Sequence, residues 1–286
     1  MSDCSKDNMK VNPSVTVIMS CYIEPIPYIR QAIDSILAQT LSDFEFIIVL
    51  DKPDRQDVLI LLKEYIVKDE RIKIIIHDKT YGLAVARNRA IAEAVGEYIA
   101  LMDADDISME NRLENQFSYL NENDFDVVFS QVEYINEKGD SIGYFYPITN
   151  NPKRDIFLKH IFSHPTGFMK KSVFSKEQYD SSFIRAQDVD LWIRLLSKNI
   201  TFFIIPKTLL KYRIHLGESV MQRLNRQSAY AKYGFKIVKK HFPTNFLNIY
   251  FWYFALRWSS YYFFYTFTPV IILRFLVKIK DSLRVK

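Results

Sequence analysis

Within the first 103 residues, four short apolar segments rich in β-branched side chains alternate with stretches of helical spacing. The strand-like segments are Val15 to Ser20, Phe44 to Leu50, Ile72 to His77 and Tyr98 to Met102. Between them, Tyr28, Ile29, Ala32, Ile33, Ile36 and Leu37 recur every three or four positions, a second helix covers about Arg55 to Val67, and Gly82 opens a third. In that third helix Leu83, Ala86, Ala90, Ile91 and Ala94 make the apolar face. Strands alternating with helices of this length predict an α/β protein with a mostly parallel central sheet and right-handed crossovers.

The fourth strand runs straight into Asp103-Ala104-Asp105-Asp106. Ligands of open α/β sheets bind in the crevice beyond the carboxyl ends of the strands. Carboxylates one residue apart at that place can grip a divalent cation that also holds a diphosphate, the chemistry of an activated nucleotide donor. Three Asp-X-Asp tripeptides occur, so position decides between them. Asp124-Phe125-Asp126 precedes a strand, the wrong end for a ligand, and reads as surface. Asp103-Ala104-Asp105 follows one, with a helix start expected at Ser108. A solvated loop capping that helix is the competing account. The third, Asp188-Val189-Asp190, opens a helix expected over about 188–197, where Asp188 reads either as chemistry or as a cap.

After Ile107 the rhythm changes. A helix is expected from about Arg112 to Asn121, a strand from Asp126 to Val132, a turn at Glu137 to Gly139, and a strand from Thr201 to Ile205. Residues 144–175 mix aromatics, prolines and basic side chains, and acceptor selection is expected within 144–184.

The run Tyr81-Gly82-Leu83-Ala84-Val85-Ala86-Arg87-Asn88-Arg89, followed by Gly96-Glu97-Tyr98-Ile99-Ala100-Leu101-Met102-Asp103-Ala104-Asp105, resembles glycosyltransferase family 2, whose members have the GT-A fold. The likeness extends to Val15–Ser20 with Cys21-Tyr22, to Ser35-Ile36-Leu37-Ala38-Gln39-Thr40, and over roughly residues 14–217. It implies a nucleotide diphosphate sugar donor, most often carrying uridine. It implies Asp105 as direct ligand of Mg²⁺ or Mn²⁺, Asp103 toward the ribose, and Asp106 as a supporting residue or helix cap. Asp51 would face the nucleobase, although the family's usual Asp-Gly-Ser-Thr-Asp gives way here to Lys52-Pro53-Asp54. Tyr22 and Glu24 are further nucleoside-pocket candidates, with ordinary loop residues as the alternative. Arg87 approaches the nucleotide or makes a surface ion pair. In Ala186-Gln187-Asp188-Val189-Asp190-Leu191-Trp192 the likeness makes Asp188 the general base of an inverting transfer, and places Gln187 and Trp192 on the acceptor side. Asp190 holds backbone or a basic neighbour. His164 in His-Pro-Thr is expected on the acceptor side. His215, after Tyr212-Arg213-Ile214, is expected to close over the diphosphate and metal.

Charge is unevenly spread. From Lys211 onward there are 14 Lys or Arg against 2 acidic residues, while the first 210 residues are net acidic. The same tail carries uncharged runs at Phe242–Leu256 and Trp258–Leu273, each shorter than the roughly 20 residues that cross a bilayer. Basic, aromatic and apolar together, it fits an interfacial helix pair on an anionic membrane surface better than a nucleic-acid partner. A buried hairpin packing on the catalytic body or on a second subunit is the alternative. Two cysteines and a polar, mixed-charge beginning point to a reducing, cytoplasmic setting.

The expected organisation is a flexible tail over 1–12, a catalytic region over 13–217 split into a nucleotide-binding half (13–107) and an acceptor half (108–217), and a membrane-associating helical region over 218–286. The expected activity is an inverting, metal-assisted transfer of a sugar to a glycan or lipid-linked acceptor in surface polysaccharide synthesis, at the cytoplasmic face of the membrane. One rival is a nucleotidyltransferase, which would want a glycine-rich phosphate loop that seven glycines do not supply near the first strand. The other is a catalytically silent sugar-nucleotide-binding scaffold.

Overall fold

The computed structural model describes residues 12–268 apart from 216 and 218. The expected N-terminal tail, save residue 12, and the segment from Pro269 onward lie outside the described residues. The first half follows the alternation: β1 (Val15–Cys21), α1 (Ile26–Leu37), β2 (Phe44–Leu50), α2 (Gln56–Lys68), β3 (Ile72–Ile76), α3 (Leu83–Glu93) and β4 (Tyr98–Asp103). The second half is β5 (Ile107–Ser108), α4 (Arg112–Glu122), β6 (Val127–Ile135), β7 (Ser141–Phe145), α5 (Pro152–Leu158), a 3-10 turn at His164–Thr166, β8 (Phe168–Lys170), α6 (Val173–Lys176), α7 (Gln187–Ser197) and β9 (Phe202–Arg213). Two long helices follow, α8 (Val220–Asn245) and α9 (Ile249–Phe267).

All nine strands join one sheet in the order β3-β2-β1-β4-β8-β6-β9-β5, with β7 on β6. The β3-β2-β1-β4 block is parallel throughout. Beyond it, β8 runs antiparallel to both β4 and β6, while β9 is parallel to β6. The parallel strands are sandwiched by helices, and β2 is buried at every position. In register, Ser20 of β1 lies opposite Asp103 of β4 and Cys21 opposite Leu50 of β2. The loops carrying Tyr22, Asp51 and Asp105 therefore leave the sheet at one edge.

Two boundaries differ from the sequence expectation. No helix starts at Ser108, because Ile107 and Ser108 pair with Lys211 and Leu210 of β9, and α4 begins at Arg112, at the start of the helix expected over about 112–121. The strand expected to stop at Ile205 continues to Arg213 through a register shift opposite Gln131. That extension brings residues 213–215 to the carboxylate loop.

The helical pair lies against the body by one face. Phe251 and Phe254 of α9 are buried against Phe157 of α5. The wholly buried carboxylate of Asp190 in α7 meets Lys240 Nζ at 2.8 Å and His241 Nε2 at 2.9 Å on α8, and Arg194 Nε at 2.9 Å. This confirms the basic-neighbour reading of Asp190. The other face of α9 exposes Trp252, Tyr253, Leu256, Phe263 and Phe267.

Candidate active site

A cleft of about 590 Å³ opens beyond the end of β4. Asp103, Arg87, His164, Gln187 and Asp188 all line it. Residues more than 80 positions apart, expected at opposite ends of one reaction, thus share one wall-bounded space.

Asp103 ends β4 and accepts a 2.8 Å bond from Arg87 Nη2 on the first turns of α3. This pair is not at the surface: the Arg87 side chain is 7% exposed. Burial, Asp105 and Asp188 push the Asp103 carboxyl up, and the Arg87 guanidinium opposes them. Ala104 is buried, and the Asp105 side chain beside it is partly exposed. Asp105 Oδ2 lies 2.8 Å from His215 Nε2 across 110 residues of sequence, and that bond raises the imidazole pKa. Asp106 is buried and caps no helix. Its Oδ1 accepts the Arg213 backbone N–H at 2.8 Å, and burial beside Asp105 and Asp103 pushes its carboxyl well up.

Tyr22 and Glu24 lie in the loop after β1. Glu24 accepts the Tyr22 backbone N–H at 2.6 Å, and burial, with Asp105 and Asp103 nearby, raises its carboxyl. The Tyr22 ring is exposed, with Lys52 Nζ 5.8 Å from its centroid. The Asp51 side chain is 3% exposed and turned inward, to His77 Nδ1 at 2.7 Å and to the backbone N–H groups of Tyr81 and Gly82 at 2.9 and 2.8 Å. Gly82 takes φ +92°, a conformation open to glycine, to present its N–H there. Asp51 thereby shapes the 81–82 loop at the end of β2.

Asp188 stands on the first turn of α7. No side chain among the described residues bonds its carboxylate, and Ala186, not Asp188, holds the N-cap position. The capping account therefore fails, and the carboxylate is left facing the cleft. Ala186 sits in the left-handed region at φ 57°, a strained setting for a residue with a β-carbon. That bend starts the helix at Gln187, which is buried at the cleft wall with its amide oxygen unpartnered.

His164 is also buried at the wall, 3.3 Å from the Tyr179 hydroxyl, and burial with Arg87 nearby drives its pKa well down, so it is neutral at pH 7. Trp192 is 2% exposed and packs among Phe129, Phe202 and His164, one turn beyond Asp188. The indole belongs mainly to the core behind the cleft, and it also lines a smaller cavity that Asp188 shares.

Sequence reasoning missed three contributors. Arg213 is buried, stacks over the Tyr28 ring at 4.2 Å, and donates to the Asp105 and Asn136 carbonyls and to Gln31 Oε1. It locks the carboxylate loop to β9, the 136–137 turn and α1. Arg112 is wholly buried beneath the loop, donating to the Leu101 and Pro165 carbonyls, with its pKa brought down to about 10 by burial. It stays cationic at neutral pH and offsets the buried carboxylates. A signal existed: Arg112, Leu113, Gln116 and Leu120 share one buried helix face at i, i+4, i+8 spacing. The third contribution is Tyr230, Ile237 and Trp258 of the helical pair, which also line the cleft.

The carboxylate loop suits a divalent cation shared with a ligand. Among the described residues no group of three or more His, Cys, Asp or Glu side chains forms a protein-only cage. Asp105 and His215 converge at 2.8 Å, both partly open to solvent, beside the raised carboxyl of Asp103. Few protein ligands completed by phosphate oxygens and waters is the ordinary donor set of Mg²⁺ at nucleotide sites.

Residues 16–177 match the family described as Glycosyl transferase family 2. The chain is 40% identical over 277 residues to the uncharacterized glycosyltransferase MJ1057 of Methanocaldococcus jannaschii, covering 94% of each. It is 35% identical over 246 residues to the O-antigen biosynthesis glycosyltransferase WbnJ of Escherichia coli, covering 84% of this chain and 95% of that one. In fold it resembles the crystal structure of S. aureus TarS 1–349, at TM-score 0.66 and 16% identity over 88% of this chain and 74% of that one. A TarS 1–349 structure in complex with UDP-GlcNAc aligns at TM-score 0.59 and 17% identity, covering 80% and 73%.

Proposed function

The chain belongs to glycosyl transferase family 2, and on that premise we propose that its cleft moves one sugar from a UDP-sugar to a hydroxyl of a glycan or lipid-linked saccharide, with inversion. WbnJ acts in O-antigen biosynthesis and TarS binds UDP-GlcNAc, which supports this donor and acceptor class. The observation that carries the reading is the shared cleft of Asp103 and Asp188, with no side chain among the described residues bonded to the Asp188 carboxylate. Asp188 accepts the proton of the acceptor hydroxyl as that oxygen attacks the anomeric carbon and the bond to the diphosphate breaks. One base and one displacement give inversion. Asp105, with Asp103 and His215, would hold Mg²⁺ or Mn²⁺. The ion supplies positive charge to the leaving diphosphate when bound. Arg87 orients Asp103 through their 2.8 Å bond, Arg213 holds the loop through the Asp105 carbonyl, and Arg112 ties the strand before it to Pro165.

Thermal unfolding in the presence of sugar nucleotides tests the donor. A UDP-sugar with Mg²⁺ or Mn²⁺ is expected to stabilise the protein by about 2.7 kcal/mol at a hundredfold excess over Kd, an upshift of several degrees. Chelation with EDTA is expected to abolish most of it. No shift with any sugar nucleotide in either metal overturns the reading.

We further propose that the exposed face of α9 lies on an anionic membrane surface. Among the described residues no helix is long and apolar enough to cross a membrane. Trp252, Tyr253, Leu256, Phe263 and Phe267 are exposed along one helix near Arg257, the composition of an interfacial segment. Co-flotation with phosphatidylglycerol vesicles, weak with phosphatidylcholine and reduced by salt, is the expected result. Equal absence from both sinks this assignment.

A further inference from the structure

We propose that the C-terminal helical pair is a working wall of the cleft, and that Trp258 is the surface receiving the acceptor's sugar ring. The proposal rests on the sugar-transfer reading and names where its acceptor sits. Two cavities meet at Asp188: the main cleft and a smaller one of about 120 Å³. Trp258 lines both, as do Asp188, Val189 and His160. Asp103 and Arg87 line only the main cleft. The indole therefore shares both cavities with the candidate base and only the main cleft with Asp103.

The placement of this indole is built into the fold. A β-carbon on Gly234 of α8 would lie 2.0 Å from Trp258 Cε3 and 2.2 Å from Cδ2. The ring thus lies directly on the α8 backbone, where no other residue fits. Glycine inside a helix costs about 0.5–1 kcal/mol relative to alanine, and here that cost is offset by seating the indole. Phe254 and Tyr261 flank the ring at centroid distances of 6.1 and 6.0 Å. Trp258 is nevertheless only partly buried. A held, partly open aromatic ring beside a catalytic carboxylate matches the amphipathic shape of a pyranose: its C–H face meets the π-surface while its hydroxyls stay at the polar rim. Tyr230 of the same pair also lines the main cleft.

The test uses the full chain, the sugar nucleotide giving the largest thermal upshift, and octyl glycosides of glucose, galactose and N-acetylglucosamine as acceptors. Trp258→Leu keeps apolar packing on Gly234 but removes the aromatic face. It is expected to raise the acceptor KM about tenfold, the scale of one aromatic contact, with the donor KM changed less than about twofold. Trp258→Phe is expected to restore most of the acceptor KM, and Gly234→Ala, which displaces the indole, to resemble Trp258→Leu. An unchanged acceptor KM in Trp258→Leu, a parallel rise in both KM values, or a wild type that accepts none of the glycosides overturns the proposal. Failure of the transfer reading itself shows separately, as the absence of any sugar-nucleotide stabilisation.

Discussion

Asp188→Asn is expected to lower sugar transfer by about 10²–10⁴-fold, the contribution of a positioned general base, while the donor still binds. Asparagine keeps the size of the side chain and removes only its capacity to take a proton. No side chain among the described residues depends on the Asp188 carboxylate, so the substitution leaves α7 without a broken contact. Its cost to the helix is confined to a first-turn charge, worth about 0.3–1 kcal/mol. Product formation with excess donor measures the first half of the prediction. The thermal upshift given by UDP-sugar and metal measures the second. If the upshift vanishes with the activity, Asp188 is a donor contact and the base lies elsewhere in the cleft.

The second large effect concerns Asp190, two residues on. Asp190→Ala leaves Arg194, Lys240 and His241 crowded around a site that has lost its negative charge. Removing one partner of a buried ion cluster costs about 3–5 kcal/mol, a fall in Tm of roughly 10 °C for a chain of this size. The loss should concentrate at the α7–α8 junction, read as earlier proteolysis or faster amide exchange in the helical pair than in β1–β4. A uniform loss across the molecule would contradict the view that this cluster docks the pair.

The same cluster sets a pH dependence. Hydrogen bonds from His241 and Lys240 hold the Asp190 carboxyl below the usual 3.8 despite burial, and Lys240 and Ser182 do the same for Asp180. A lowered folded pKa contributes stability that is fully present above the ordinary aspartate value and is lost as pH falls through the folded one. The helical pair should therefore loosen below about pH 3.8, before the buried sheet does.

The α/β alternation was legible because a strand ending at a crevice and a helix covering it each leave a local pattern. Asp103, Asp105 and Asp188 stand out for the same reason, since each lies at or beside a strand end or a helix start. The surroundings of Trp192 are not legible, because an aromatic four residues past Asp188 on an amphipathic helix fits either a wall or a core, and only the fold sets Phe129, Phe202 and the smaller cavity against it. The partners of Asp51 are not legible either: His77 and two backbone N–H groups lie 26 to 31 residues on, which no local pattern announces.

The sequence by itself determined the parallel β1–β4 block of the sheet, the edge where its ligand loops emerge, and the carboxylates available there. These depend on periodicity and on residues adjacent in the chain. Tertiary structure alone decided which of those carboxylates meet. His215 reaches Asp105 because β9 runs eight residues longer than its apolar core implies. Arg213 reaches the Asp105 carbonyl from 108 residues away, and Arg112 reaches Leu101 in the strand before the loop from 11. The helical pair, read from sequence as an attachment to a surface, becomes part of the cleft only because a glycine in one helix lets an indole from the other lie flat upon it. Close packing between segments far apart in the chain leaves no periodic trace, so such contacts appear only when the chain is folded.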